Sequence, residues 1–142
     1  MLHGNAAVLI DAGPLVAVID ARDLDHAECS VLLEEIRPPL VTTWAAVTEA
    51  MHLVNRRGDQ RAQFRLWDLI RREAITITHI PGSHHEAVAQ LMKRYRDAPM
   101  DLADATLVVA ADLLNDPEIF TLDEHFQTYR LSRNRRFKVL PA

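Results

Sequence analysis

Short apolar runs alternate along this chain with longer stretches in which apolar positions return every three or four residues. Residues 6–10 (AAVLI) form the first run and read as a buried strand, followed by a turn at Gly13-Pro14 and a helix carrying Pro14 in its first turn. Residues 26–36 place Ala27, Val31, Leu32 and Ile36 at helical spacing, and Pro38-Pro39 stops that helix. Residues 40–43 (LVTT) predict a second strand. Residues 44–57 repeat Val47, Ala50, Met51 and Val54 one turn apart and close at Gly58. A further helix over 59–73 is expected to face inward with Phe64, Leu66, Trp67 and Ile70. Residues 75–78 (ITIT) are a β-branched strand, and a helix over 84–96 follows Pro81-Gly82. Residues 101–114 are apolar almost all round, the mark of a deeply buried helix. Strands are expected over 119–122, ending at Asp123, and over 137–140.

Strands alternating with helices predict an α/β fold, a three-layer domain whose mostly parallel central sheet is flanked by helices with right-handed crossovers. The 142 residues fit one domain over 1–142. Composition narrows the class. Twenty acids against sixteen Lys and Arg give a net charge of −4, which excludes a coat held on nucleic acid by bulk charge but leaves room for a local basic strip. The single cysteine, Cys29, excludes an internal disulfide framework and a cysteine-based zinc site, and suits a reducing compartment. No apolar run approaches the roughly 18 residues of a membrane span. The start MLHGNAAVLID lacks the basic and cleavage regions of a signal peptide, so a cytoplasmic location is expected.

The placement of the surplus carboxylates carries the functional reading. Ligands of open α/β sheets bind outside the carboxyl ends of the strands. Two strands end in acids, Asp11 and Asp123. Each alone suits a turn or helix cap, but as a pair they suit a site. Glu49 shares a helical stripe with Ala46 and Leu53 rather than a plainly solvated face. Asp104 opens the most apolar helix, where an unpaired acid is costly to bury, although the helix dipole offsets part of that cost. Asp101, three residues earlier, is either the helix cap or a member of the site. Two such charges about 4 Å apart repel by roughly 4 kcal/mol at an effective dielectric of 20. A meeting of these acids therefore calls for protons or for a hard cation, Mg²⁺ or Mn²⁺, which bridges to phosphate and activates water.

The strand ending in Asp11, Glu49 after Thr42-Thr43, the helix start DLADATLVVAA and the late TLDEHF together resemble the PIN-domain ribonucleases, and among them the VapC-type toxins of toxin–antitoxin pairs. The resemblance spans VLIDAGPLVAVID at 8–20 to FKVLPA at 137–142. It implies that Asp11, Glu49, Asp104 and Asp123 are the catalytic and metal-binding quartet of a Mg²⁺- or Mn²⁺-dependent endoribonuclease acting on RNA. It also implies a small antitoxin as partner. Two positions depart from the pattern: Ala12 stands where many relatives have a hydroxyl, and His125 where some carry another acid. The rival reading is a catalytically silent PIN-like module that binds RNA or a partner. A receiver-type phosphoacceptor lacks its acid pair and its strand-end lysine here.

Glu49-x-x-His52 has di-iron spacing but no second copy. His84-His85 read as surface residues, while His26 and His125 can each approach a phosphate or a metal. Arg56, Arg57, Arg61, Arg65, Arg71 and Arg72 gather on the two middle helices, and Arg130, Arg133, Arg135 and Arg136 near the end. These are either solvated faces or grips for RNA phosphates or an acidic partner. The apolar, Arg-rich middle helices predict a homodimer.

Overall fold

Val8, Leu9 and Ile10 are apolar without alternation, the pattern of a strand covered on both faces, and they form β1 (Val8–Ile10) at the centre of the sheet. The computed structural model describes residues 7–37, 39–58 and 60–142; expectations falling on residues 1–6, Pro38 and Asp59 lie outside the described residues. The other strands are β2 (Leu40–Thr42), β3 (Ile75–Ile77), β4 (Glu118–Phe120) and β5 (Lys138–Leu140). Their order is β3-β2-β1-β4-β5 and every pairing is parallel, with Leu9 opposite Val41 on one side and Ile119 on the other.

The helices are α1 (Ala12–Ile19), α2 (His26–Glu35), α3 (Trp44–Arg56), α4 (Gln60–Arg71), α5 (His85–Arg94) and α6 (Leu102–Leu114). Alternate strand residues face opposite sides. Val8, Ile10, Leu40, Ile75 and Phe120 pack against α1 to α4, while Leu9, Val41 and Ile119 pack against α5, α6 and the aromatic group Phe126, Tyr129 and Phe137. The three layers of the α/β fold are thus in place. Helix α6 is buried from Ala103 to Ala111, as its composition predicts. Among the described residues no helix is long and apolar enough to cross a membrane.

Three local expectations are corrected. No turn separates β1 from α1: Asp11 alone joins them as helix N-cap, and Pro14 sits in the first turn. Strand β4 stops at Phe120, so Thr121 and Leu122 belong to the loop before Asp123. Helix α4 buries Ala62, Leu66 and Leu69, whereas Phe64 and Trp67 are 57% and 39% exposed. Gln63 donates to the Met51 carbonyl at 3.1 Å and Arg65 to that of Ile19 at 2.8 Å. Those bonds fix the rotation of α4, small Ala62 allows close approach, and Trp67 is left to meet Trp44 at a 57° tilt with ring centroids 6.2 Å apart.

Candidate active site

The chain runs outward from β1 to β2 and β3 on one side and later to β4 and β5 on the other. Crossovers diverge at β1, and a crevice opens where the strands end. Asp11 follows β1 at once, and its N–H bonds the Phe120 carbonyl at 3.0 Å, tying the ends of β1 and β4 together. One carboxylate oxygen accepts the Ala12 N–H at 2.7 Å and the other the Thr121 hydroxyl at 2.9 Å, so the side chain is held while 6% exposed.

Asp104 enters from the first turn of α6 through a reciprocal cap. Asp101 accepts the Asp104 N–H at 2.8 Å, and Asp104 accepts the Asp101 N–H at 3.2 Å. Of the two roles open to Asp101, the cap is therefore occupied, although Asp101 also lines the crevice. Asp123 reaches the site from the loop after β4, where Thr121 Oγ1 accepts its N–H at 3.0 Å. Thr121 thus orients two acids at once and was missed from sequence. Its one signal there is a hydroxyl two residues before Asp123.

One carboxylate oxygen each from Asp11, Asp104 and Asp123 lies within 4.8 Å of the others. Glu49, from α3, lines the same crevice of about 410 Å³ but stands outside that triad. All four sequence candidates share one cavity, and three of them meet closely. Burial, followed by the charges of Asp101, Asp11 and Asp123, pushes the Glu49 carboxyl up to about 7. Burial again leads at Asp104, pushed up to about 8 with Asp101 and Asp11 adding repulsion. Asp11 is also raised, mainly by burial, against the lowering effect of its Ala12 and Thr121 hydrogen bonds. The lining contains no Lys or Arg to neutralise these groups. Oxygen-only donors with uncompensated charge fit a hard divalent cation, held by Asp11, Asp104 and Asp123.

The remaining candidates separate. His125 binds Asp123 Oδ1 through Nδ1 at 2.8 Å and lines the crevice. His26 is structural: its Nδ1 lies 2.7 Å from the Ala17 carbonyl. His52 lines a neighbouring apolar depression with Thr48 and Leu102. Several arginines are structural staples. Arg57 holds Asp20 at 2.8 Å, Arg130 bridges the carbonyls of Gln127, Thr128 and Tyr129, and Arg135 reaches Asn115 at 3.1 Å.

Comparison with known proteins supports the family and the fold. The chain is 30% identical over 135 residues to Ribonuclease VapC26 of Mycobacterium tuberculosis, covering 94% of this chain and all of that one. Its fold matches the crystal structure of Mycobacterium tuberculosis VapC20, a sarcin-ricin loop cleaving toxin, with a TM-score of 0.79 at 19% identity, covering 85% of this chain and 93% of that one. The family model for the PIN domain matches residues 8–131, from the first strand through the loop that carries Asp123 and Tyr129. The chain belongs to the PIN-domain family.

Proposed function

We propose that this protein is a Mg²⁺- or Mn²⁺-dependent endoribonuclease and the toxin of a toxin–antitoxin pair. One observation carries the reading: three carboxylates converge without a cationic partner at the strand-end crevice, in a chain similar over nearly its whole length to a named ribonuclease. Asp11 and Asp104 would hold the metal most directly, and Asp123 would complete its set of protein donors. Such a cation, when bound, would supply positive charge to balance the phosphate and would acidify a water. Glu49 stands off the triad with its carboxyl pushed up to about 7, so near neutral pH its ionised form can take the water's proton as the water oxygen bonds to phosphorus, while the ribose oxygen departs and takes a proton from solvent. Thr121 and the Asp101 cap hold Asp11 and Asp104 in place, so little rearrangement is needed when substrate arrives.

The partner reading rests on the apolar face of the middle helices. Trp44, Phe64 and Trp67 are all well exposed there, with Trp44 and Trp67 in contact, and such a patch favours burial against a second protein. A homodimer and a small antitoxin both belong to this proposal, as does action in the cytoplasm. The test is cleavage of single-stranded and structured RNA with and without Mg²⁺ or Mn²⁺. Cleavage should require the metal and fall by more than roughly a thousandfold in Asp11→Ala. Equal activity in the variant, or in chelator, would overturn the reading.

A further inference from the structure

Tyr129 links the aromatic group beside α5 and α6 to the acidic triad. It is fully buried, and its ring is held by edge contacts with Tyr95 and Phe126, with centroids 5.1 Å apart in each pair. Its hydroxyl donates to Asp104 Oδ2 at 3.4 Å and has no other hydrogen-bond partner among the described residues. A phenylalanine would fill the same space and keep both ring contacts, so packing does not account for the hydroxyl. The bond that does account for it ends on a member of the triad.

Asp104 Oδ2 receives two donors, the Asp101 N–H at 3.2 Å from its own helix cap and the Tyr129 hydroxyl from a separate element. No donor reaches Asp104 Oδ1 among the described residues. Asp123 is held in the same one-sided way. Its Oδ1 accepts the His125 N–H at 2.9 Å and lies 2.8 Å from His125 Nδ1, while no hydrogen bond falls on Oδ2 among the described residues. The last torsion of an aspartate is soft, so a single bond does not decide which oxygen faces the crevice. A second donor on the same oxygen, from a side chain locked in the core, does decide it. We infer that Tyr129 is a positioning residue for the metal: its hydroxyl anchors Asp104 through Oδ2 and leaves Oδ1 as the atom offered to the divalent cation. The inference rests on the metal-dependent reading above. Groups behind a metal ligand commonly orient it in this way without touching the ion.

The test compares Tyr129→Phe with Tyr95→Phe, which removes a second hydroxyl from the same aromatic group. The Tyr95 hydroxyl accepts the Arg130 N–H at 3.2 Å and bonds no member of the triad. Mn²⁺ binding to metal-stripped protein is read from the paramagnetic resonance signal of the free ion, which needs neither substrate nor turnover. Tyr129→Phe should raise the Mn²⁺ Kd about tenfold, the lower end of the range for groups that orient metal ligands, because the bond is long. The metal-free melting temperature should change little. Cleavage of RNA should slow at limiting Mn²⁺ and recover at saturating Mn²⁺, with KM for the RNA unchanged. Tyr95→Phe should keep the wild-type Kd. An unchanged Kd in Tyr129→Phe would overturn the inference, since the hydroxyl would then serve the fold alone. So would an equal rise in both variants, which assigns the effect to core packing. A wild type that binds no Mn²⁺ would instead overturn the metal reading on which the inference rests, so the two failures are distinguishable.

Discussion

Helix α1 carries an aspartate at each end, and the two could hardly be treated more differently. Asp20, its C-cap, is 2% exposed, and Asp11, its N-cap, is 6% exposed. Asp20 receives the Arg57 guanidinium at 2.8 Å and the Arg22 Nε at 3.1 Å, and these bonds hold its carboxyl well below the usual carboxylate range. Asp11 has an N–H and a hydroxyl but no cation, and instead faces Asp104 and Asp123 across less than 4.8 Å. A buried acid gripped by arginines closes a structural joint, here between α1, the loop to α2 and the end of α3. A buried acid among other acids leaves a charge for something else to balance. The dipole at α1 favours an acid only at the Asp11 end, so Asp20 depends all the more on its arginines.

The contrast can be broken by substitution, beginning with the largest effect short of removing an acid. Thr121→Val keeps the shape of the loop but withdraws the hydroxyl that orients Asp11 and Asp123. Metal affinity and kcat/KM should fall roughly tenfold to a hundredfold, as for other groups that orient metal ligands, with little change in the metal-free melting temperature. A Thr121→Ser variant should recover most of the loss. At the other end, Asp20→Ala should lower stability by about 2 kcal/mol in denaturant melts while leaving kcat/KM unchanged, because both guanidinium groups are already partly exposed and Arg57 keeps Asp23. Loss of cleavage by a well-folded Asp20 variant would erase the distinction between the two ends.

The smallest effect has the opposite sign. Asp104→Asn retains the oxygen that accepts the Asp101 N–H but removes a carboxyl that burial pushes up to about 8. It should raise metal-free stability in alkaline buffer by on the order of 1 kcal/mol. The pH dependence follows from the directions of the shifts. Glu49 and Asp104 have folded values raised to about 7 and about 8, so their contribution to metal-free stability is fully present at acid pH and is lost as pH rises through those values. Asp20, with a lowered folded value, contributes stability above the ordinary carboxylate range and loses it only in strong acid. Metal-free melting temperatures should therefore decline from mildly acid to mildly alkaline pH, and Asp104→Asn should flatten that decline.

Much of this site was legible because its acids mark changes of element. Asp11 sits between an apolar strand and a helix, so its place at the strand ends followed from the order of elements, whereas the place of Asp104 in the same site came with the family resemblance. Glu49 was placed by its stripe with Leu53, which lines the same crevice. Strand order needs hydrogen-bond partners far apart in sequence, and no reading of the sequence supplied it. The α4 face was misread because two stripes compete at helical spacing. The larger aromatic stripe of Phe64 and Trp67 promised more buried area, but side-chain bonds from Gln63 and Arg65 to the carbonyls of Met51 and Ile19 turn the aliphatic stripe inward. Thr121 was absorbed into a strand by its β-branched character, which hid a side chain that bridges Asp11 and the backbone of Asp123. The two arginine groups left open either a solvated face or a phosphate grip, and contacts place several of their members in structural joints.

The account stands on a cation taking the place among Asp11, Asp104 and Asp123 that Arg22 and Arg57 take at Asp20. The most direct test is the melting temperature of metal-stripped protein titrated with Mn²⁺, wild type beside Asp104→Asn. In wild type the midpoint should climb by several degrees, corresponding to about 2.7 kcal/mol at a hundredfold excess over Kd. The variant, although more stable without metal, should respond only at far higher concentration. A flat titration in wild type, or the same climb in both proteins, would contradict it.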